Sequence, residues 1–152
     1  MKDASANIRQ WLYNVLQLTV VSNGTYLQCH SFAPKDAAMP YILLGEISMM
    51  GEAESTKDCW ITEHEAIIEV YVDSSGNDAS YGRLDEIVDD ILGIVRRRTQ
   101  ALVGSGGQAV TGITGFNMII CNVVSMTSGR FAMDNKIVLM KSIIIKLILE
   151  EQ

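Results

Sequence analysis

The sequence predicts an α+β domain, in which an antiparallel sheet of about four strands carries two helices on one face and long loops project from it. Residues Trp60–Val72 alternate between apolar and polar side chains, which is typical of a half-buried antiparallel strand. Residues Tyr81–Gln100 place their apolar side chains at helical spacing, and the β-branched Lys136–Glu150 favours a strand. The 152 residues predict a single domain over 1–152.

The chain begins with a predicted amphipathic helix. Four apolar residues recur there at helical spacing, namely Ile8, Leu12, Val15 and Leu16. Asp3 or Ser5 can cap this helix, and the Asn-Gly pair at 23–24 predicts a turn after it. The mixed segment 26–38 is expected to be irregular or to hold one short strand.

The first long hairpin is predicted from Tyr41 to Val72. Tyr41–Ser48 is its first strand, and Gly51–Asp58, rich in Gly, Glu and Ser, is its expected loop. The second strand places Ala66, Ile68, Val70 and Val72 on one face. Its other face carries three carboxylates, Glu63, Glu65 and Glu69.

The second half begins with the helix Tyr81–Gln100, which has acidic residues in its first half and ends on Arg96, Arg97 and Arg98. Gly104–Gly115 is predicted to be the most flexible stretch. Phe116–Met126 is the third strand, and the following "SGRFAMDN" is expected to be a turn-like connection. The last predicted strand, Lys136–Glu150, places six apolar residues on one face: Ile137, Leu139, Ile143, Ile145, Leu147 and Leu149.

Composition limits the function. The net charge of -6 argues against general nucleic-acid binding, which needs clustered Lys and Arg. Three scattered cysteines predict no disulfide framework, and the charged N-terminus predicts no signal peptide. The apolar Ser142–Leu149 is too short to span a bilayer and contains Lys146, so we expect a soluble protein with no membrane partner, made in the cytoplasm.

No motif predicts a catalytic residue, a cofactor or a metal. Cys59 and His64 could form a catalytic pair or part of a metal site, but a polar strand face is the favoured interpretation of His64. "GSGG" lacks the ending of a phosphate-binding loop, so a flexible linker or arm is favoured. The Arg96–Arg98 run is interpreted as a basic helix end, and the three glutamates as a solvated or interface-lining face.

The order of these segments resembles the tail terminator, or tail-completion, proteins of long-tailed bacteriophages. The resemblance rests on "PYILLGE", a variable loop, "EHEAIIEVYVDSSGNDASYGRLDEIVDDIL" and a long final strand, and it covers roughly 39–97. It implies a homo-oligomeric ring, a hexamer in that family, that caps the tail tube, stops its polymerisation and offers a surface to the head connector or neck protein. It also implies a virion location at the tail–head junction, with DNA passing through the lumen without specific binding.

Two sets of interface residues follow from this resemblance as hypotheses. Glu63, Glu65 and Glu69 would face the lumen or a neighbouring subunit. The expected loop contacts to neighbours are Met49, Met50, Gly51, Gly104, Gly106 and Gly107. Two alternatives stay open: a neck or head-completion adaptor, and a small cytoplasmic enzyme or ligand-binding module that uses Cys59 and His64.

Overall fold

The structure is a computed structural model, and it describes residues 2–17, 19–22, 24–32, 34–74, 79–95, 102–103, 109–110, 112–133 and 136–152. The described elements, in chain order, are α1 (Ser5–Leu16), β1 (Val21–Ser22), β2 (Thr25–Tyr26), β3 (Gln28–His30), β4 (Tyr41–Thr56), β5 (Cys59–Ser74), α2 (Ala79–Val95), β6 (Leu102–Val103), β7 (Ala109–Val110), β8 (Phe116–Met133) and β9 (Lys136–Glu151). The predicted α+β class is confirmed. Neither helix combines the length and hydropathy needed to cross a membrane, as far as the described residues go.

The main sheet has five strands in the order β3-β4-β5-β9-β8, so the predicted sheet of about four antiparallel strands is wrong in detail. The four long strands do pair antiparallel, but the three-residue β3 runs parallel to β4, with Gln28 opposite Tyr41. The fifth strand lies in segment 26–38, which was expected to be irregular or to hold one short strand, but its parallel pairing with β4 was not predicted. The pairs β1–β2 and β6–β7 form two small separate sheets.

The core lies between one face of this sheet and the two helices. The even-numbered side chains of β5 point into it, so the predicted apolar face of Ala66, Ile68, Val70 and Val72 is confirmed, with each residue fully buried. Central β9 adds five buried residues, Leu139, Ile143, Ile145, Leu147 and Leu149. Ile137, placed on the same face by the sequence, is 37% exposed at the end of the strand.

The helices cover this face with the predicted apolar stripes. Five α1 residues are buried, namely Ile8, Trp11, Leu12, Val15 and Leu16. The N-cap position is Ala4 and has no side-chain cap hydrogen bond, so the predicted cap by Asp3 or Ser5 is wrong. Asp3 Oδ1 instead accepts hydrogen bonds from the Ser5 backbone N–H at 2.9 Å and from Ser5 Oγ at 2.6 Å. Helix α2 is described only to Val95, and the predicted extension through Arg96–Arg98 to Gln100 lies outside the described residues.

Strand β4 is twice as long as predicted, and the expected loop Gly51–Asp58 is wrong. The ladder with β5 continues to the pair Thr56–Cys59, which leaves only residues 57–58 as a turn. Three register shifts, at Leu44/Ile47, Met49/Gly51 and Glu52/Glu54, each insert a residue into β4. A bulge exchanges the faces of the residues after it, so these shifts erased the period of two that marks a strand in a sequence.

The second hairpin is also longer than predicted. Strand β8 continues to Met133, where it pairs with Lys136, so the turn assigned to "SGRFAMDN" is wrong over Ser128–Met133. Two register shifts, at Met118/Ile120 and Val123/Ser125, disturb its alternation as well. Within the predicted flexible segment Gly104–Gly115, Ala109–Val110 is a short strand, and residues 104–108 and 111 lie outside the described residues.

The first bulge of β4 is held by a side chain of α1. Arg9 donates from Nη2 to the Gly45 carbonyl at 2.7 Å and from Nη1 to the Leu44 carbonyl at 3.3 Å. Gly45 is needed here because an added Cβ would lie 3.1 Å from Ile67 Cβ and 3.3 Å from the Ile67 carbonyl oxygen. The regular ladder is therefore interrupted at Gly45 and Glu46 by a bulge inside a continuing strand.

We expect Arg9→Ala to lower the free energy of unfolding by about 1–3 kcal/mol, because two partly buried carbonyls lose a charged donor. Urea denaturation followed by circular dichroism measures this difference. Gln10→Ala is the matched control, since the neighbouring Gln10 is exposed and bonds only along the helix to Asn14. Equal effects of the two substitutions would contradict a stabilising role of Arg9 at the bulge.

Candidate functional site: the open face of the sheet

The candidate site is the sheet face turned away from the helices, called here the open face. It consists of the odd-numbered side chains of β5 from Ile61 to Asp73 and of the residues paired with them. No described helix packs on it. Most of its side chains are half-buried by their own neighbours, and apolar and charged residues are interspersed along it. Ile67 lies opposite Ile144, for example, and Glu63 lies opposite Ile148.

The three predicted glutamates do share the open face, as their spacing indicated. Glu63 Oε1 lies 2.6 Å from Lys146 Nζ, and the two side chains are 29% and 34% exposed. Glu65 is directly opposite Lys146 in the ladder. Glu69 accepts a hydrogen bond from the Tyr71 hydroxyl at 2.8 Å. Partners within the same chain therefore hold Glu63 and Glu69 in place. A solvated row of like charges would have no such partners.

A row of aromatic rings crosses one end of the open face. His30 meets Tyr41 with ring centroids 5.7 Å apart, Tyr41 stacks on Tyr71 at 5.2 Å, and Tyr71 meets Phe131 edge-on at 6.3 Å. These rings come from β3, β4, β5 and β8. Burial raises the pKa of Tyr71, and so does its hydrogen bond to Glu69, so the hydroxyl remains a donor at neutral pH. The row was missed in the sequence because its members lie up to 101 residues apart.

Cys59 and His64 do not form a pair. They lie on opposite faces of β5, five residues apart, which corresponds to about 16 Å along a strand. Cys59 Sγ donates to Glu150 Oε1 at 3.1 Å, and this hydrogen bond raises the pKa of the thiol. A thiol held protonated by a carboxylate is a poor nucleophile.

His64 is not on a polar strand face, and that interpretation is wrong. Its side chain is fully buried on the helix side of β5. Nε2 lies 3.0 Å from Thr62 Oγ1, and Nδ1 has no hydrogen-bond partner among the described residues. Burial lowers the pKa of His64, and the nearby Asp3 carboxylate opposes that shift. In the described part of the chain, no cluster of three or more Cys, His, Asp or Glu side chains could hold a metal ion.

The predicted loop contacts divide into two groups. Met49, Met50 and Gly51 lie in β4 rather than in a loop, and a bulge interrupts the ladder between Met49 and Gly51. Met49 is opposite His64 on the helix side of the sheet, while Met50, at a bulge, is 56% exposed. Gly104, Gly106 and Gly107 lie outside the described residues.

Two shallow cavities flank residues Ala38 and Met39 near the start of β4. The larger, of about 440 Å³, is lined in part by Lys35, Asp36 and the ion pair of Lys136 with Asp73. The smaller, of about 310 Å³, includes Arg83, whose Nε donates to Ser22 Oγ at 2.6 Å. The bonds of Lys136 to Asp73 and of Arg83 to Ser22 are contacts within the protein, so these two cations do not indicate a substrate.

The fold resembles that of a chain in a solved virion structure. A solved structure titled "Virion of native gene transfer agent (GTA) particle" contains a chain that matches 80% of this one with a TM-score of 0.55, and 77% of that chain is covered. The sequence identity is 14%, so the match establishes a common fold. No protein-family model matches the sequence. No curated protein matches it either.

Proposed function

We propose that this chain is a structural virion protein that forms a ring, a hexamer by resemblance, at the end of the phage tail tube. There it stops tube polymerisation and presents a surface to the head connector or neck protein. The observation that carries this proposal is the open face, a half-apolar sheet surface without a described covering element, on a fold shared with a virion chain. A surface of this kind suits contacts or a lumen better than chemistry.

The charge of the open face supports a DNA-conducting lumen. Glu63, Glu65 and Glu69 lie there with Lys146 as the basic partner of Glu63. A wall with excess negative charge repels phosphate, so DNA would pass without specific binding. The chain's net charge of -6 has the same sign.

Of the two alternative functions, the adaptor is compatible with the fold and the small enzyme or binding module is disfavoured. A neck or head-completion adaptor could use the same fold and would bind the connector instead of the tube. A small enzyme or ligand-binding module that uses Cys59 and His64 is disfavoured, because the thiol is bonded to Glu150 and the imidazole is buried on the other face.

The ring proposal is tested by the mass of the purified protein, measured by light scattering after size-exclusion chromatography. A ring has several times the 16.7 kDa of one chain and appears as an annulus in negative-stain images. Added during tube assembly, it should cap tubes and shorten their length distribution. A monomer at all concentrations would overturn the ring, and a ring that binds connector but not tube would favour the adaptor.

Reversing the charge of the three glutamates tests whether they face the lumen or contact a neighbouring subunit. We expect the triple change Glu63→Lys, Glu65→Lys and Glu69→Lys to leave ring mass unchanged and to slow DNA ejection, because a basic wall retains phosphate. Ejection rate measured on assembled particles reports the effect, and it should recover at high salt. A folded triple variant that remains monomeric would place these residues at the subunit interface instead.

A further inference from the structure

The two edges of the main sheet differ in chemistry. Strand β8 forms one edge. The other edge is β4 beyond Leu43, since β3 covers only Tyr41–Leu43. Arg9 occupies the carbonyls of Leu44 and Gly45, which leaves residues 46–56 as an edge of eleven residues. On β8, the stretch from the second register shift to the end of the strand, 123–133, also has eleven residues. Each edge carries backbone groups that another strand can bind.

The β8 edge lacks the charges that normally protect an edge. The sequence contains no Asp, Glu, Lys, Arg or His from Thr99 to Gly129, a run of 31 residues in a chain with 30 charged ones. Val124, Met126 and Phe131 of β8 are 53%, 46% and 40% exposed. A long edge with exposed apolar side chains and a single charge, Arg130, is a template for pairing with another strand, so it needs a partner.

The β4 edge is the opposite in charge. Residues 41–56 contain Glu46, Glu52 and Glu54 and no basic residue. Two β4 edges would therefore bring like charges together, which destabilises pairing. The β8 edge is free of acidic residues, and its single charge is Arg130. The combination that avoids repulsion and gains an attraction is β8 with β4.

The strand directions allow this combination in a ring. Each long strand is antiparallel to its neighbour, and four such strands leave β4 and β8 running in opposite directions. A copy related by rotation about an axis along the strands therefore presents its β4 antiparallel to the first copy's β8. Repetition of one heterologous contact closes a ring, whereas β8 against β8 would close a dimer.

We propose that β8 of one subunit, over Val123–Met133, pairs antiparallel with β4 of a second copy, over 46–56, so that the sheets join into one continuous wall. This inference rests on the proposed ring and specifies its subunit contact. It also explains why the β8 edge has no acidic residue in an acidic protein: repulsion between copies is lowest where they meet.

The test is a complementation between two blocked variants. Val124→Lys with Met126→Lys blocks the β8 edge, and Met50→Lys with Glu52→Lys blocks the β4 edge, since lysine on an edge discourages strand pairing. Each variant alone should elute at the 16.7 kDa of one chain. Mixed in equal amounts, they should give a species of twice that mass and no larger, because one good β8 edge meets one good β4 edge. Tyr81→Lys, at a 51% exposed site on α2, is the control and should retain wild-type mass.

The other possible outcomes show whether the β8–β4 pairing or the ring itself is wrong. A dimer formed by the β4-blocked variant alone would show β8 pairing with itself and would overturn the inference. Blocked variants that keep the wild-type ring mass would also overturn it while leaving the ring intact. A monomeric wild type would instead contradict the proposed ring. Circular dichroism of all variants should match that of the wild type, since every replaced side chain is at the surface, and a blocked variant that does not fold is replaced by its single-lysine form.

Discussion

Replacing Ile145 with alanine is expected to lower the free energy of unfolding by about 2–5 kcal/mol. Ile145 is fully buried at the centre of the sheet, where β9 places it between Ala66 of β5 and Val123 of β8. Truncation removes three methyl or methylene groups and leaves a cavity that two neighbouring strands cannot close. Urea denaturation at fixed protein concentration measures the change.

The matched control is Ile137→Ala in the same strand. Ile137 is 37% exposed, so its truncation should change the free energy of unfolding by no more than about 0.5 kcal/mol. Ile145→Val should lie between the two, at about 0.5–1.5 kcal/mol. Similar losses for Ile145→Ala and Ile137→Ala would mean that the core is not centred on β9.

Acidification is expected to destabilise the protein through His64. The pKa of His64 is lowered in the folded state by burial, so below the ordinary value of 6.5 the unfolded chain binds more protons than the folded one. The contribution of the neutral His64 to the free energy of unfolding is therefore fully present above pH 6.5 and is lost as the pH falls below that value. One proton gives a slope of at most about 1.4 kcal/mol per pH unit.

Urea denaturation at pH 7.5, 6.5 and 5.5 tests this sign and slope. In His64→Gln, which keeps a polar group near Thr62 but does not titrate, the decline between pH 6.5 and 5.5 should flatten. His30→Gln should retain it, because the half-buried His30 lies on β3, outside the core cluster. A His64→Gln variant with the full wild-type decline would assign the acid sensitivity to other groups.

Elements with an uninterrupted pattern could be predicted from sequence. The period of two in β5 placed Ala66 and Ile68 inside and Glu63 and Glu65 outside, and no bulge interrupts its ladder with β9. Helices α1 and α2 followed from apolar stripes in the same way. Local side-chain periodicity is sufficient where an element is regular and one face is buried.

The remaining features depend on pairing that no local pattern encodes. Three bulges in β4 exchange its faces, so a strand looked like a loop around Gly51. The ion pair of Glu63 with Lys146 requires the β5–β9 register, which joins residues more than 80 positions apart. The run without charges from Thr99 to Gly129 indicates a contact surface only because part of it lies on β8, an edge strand. The order of strands in the sheet depends on tertiary pairing and is not encoded in any local pattern.

The central position of β9 has a consequence for how the chain reaches this structure during synthesis. Strand β5 pairs with β4, which precedes it, and with β9, which is made after every other described strand, with 61 residues between Ser74 and Lys136. At about 5–20 residues per second, β5 waits roughly 3–12 s for that partner. Pairing between Ile61 and Glu150 also closes a very long loop, which slows folding. During that interval β5 can pair with β4, which is already made, but its β9-facing edge remains open and can aggregate, and chaperone binding there would protect it.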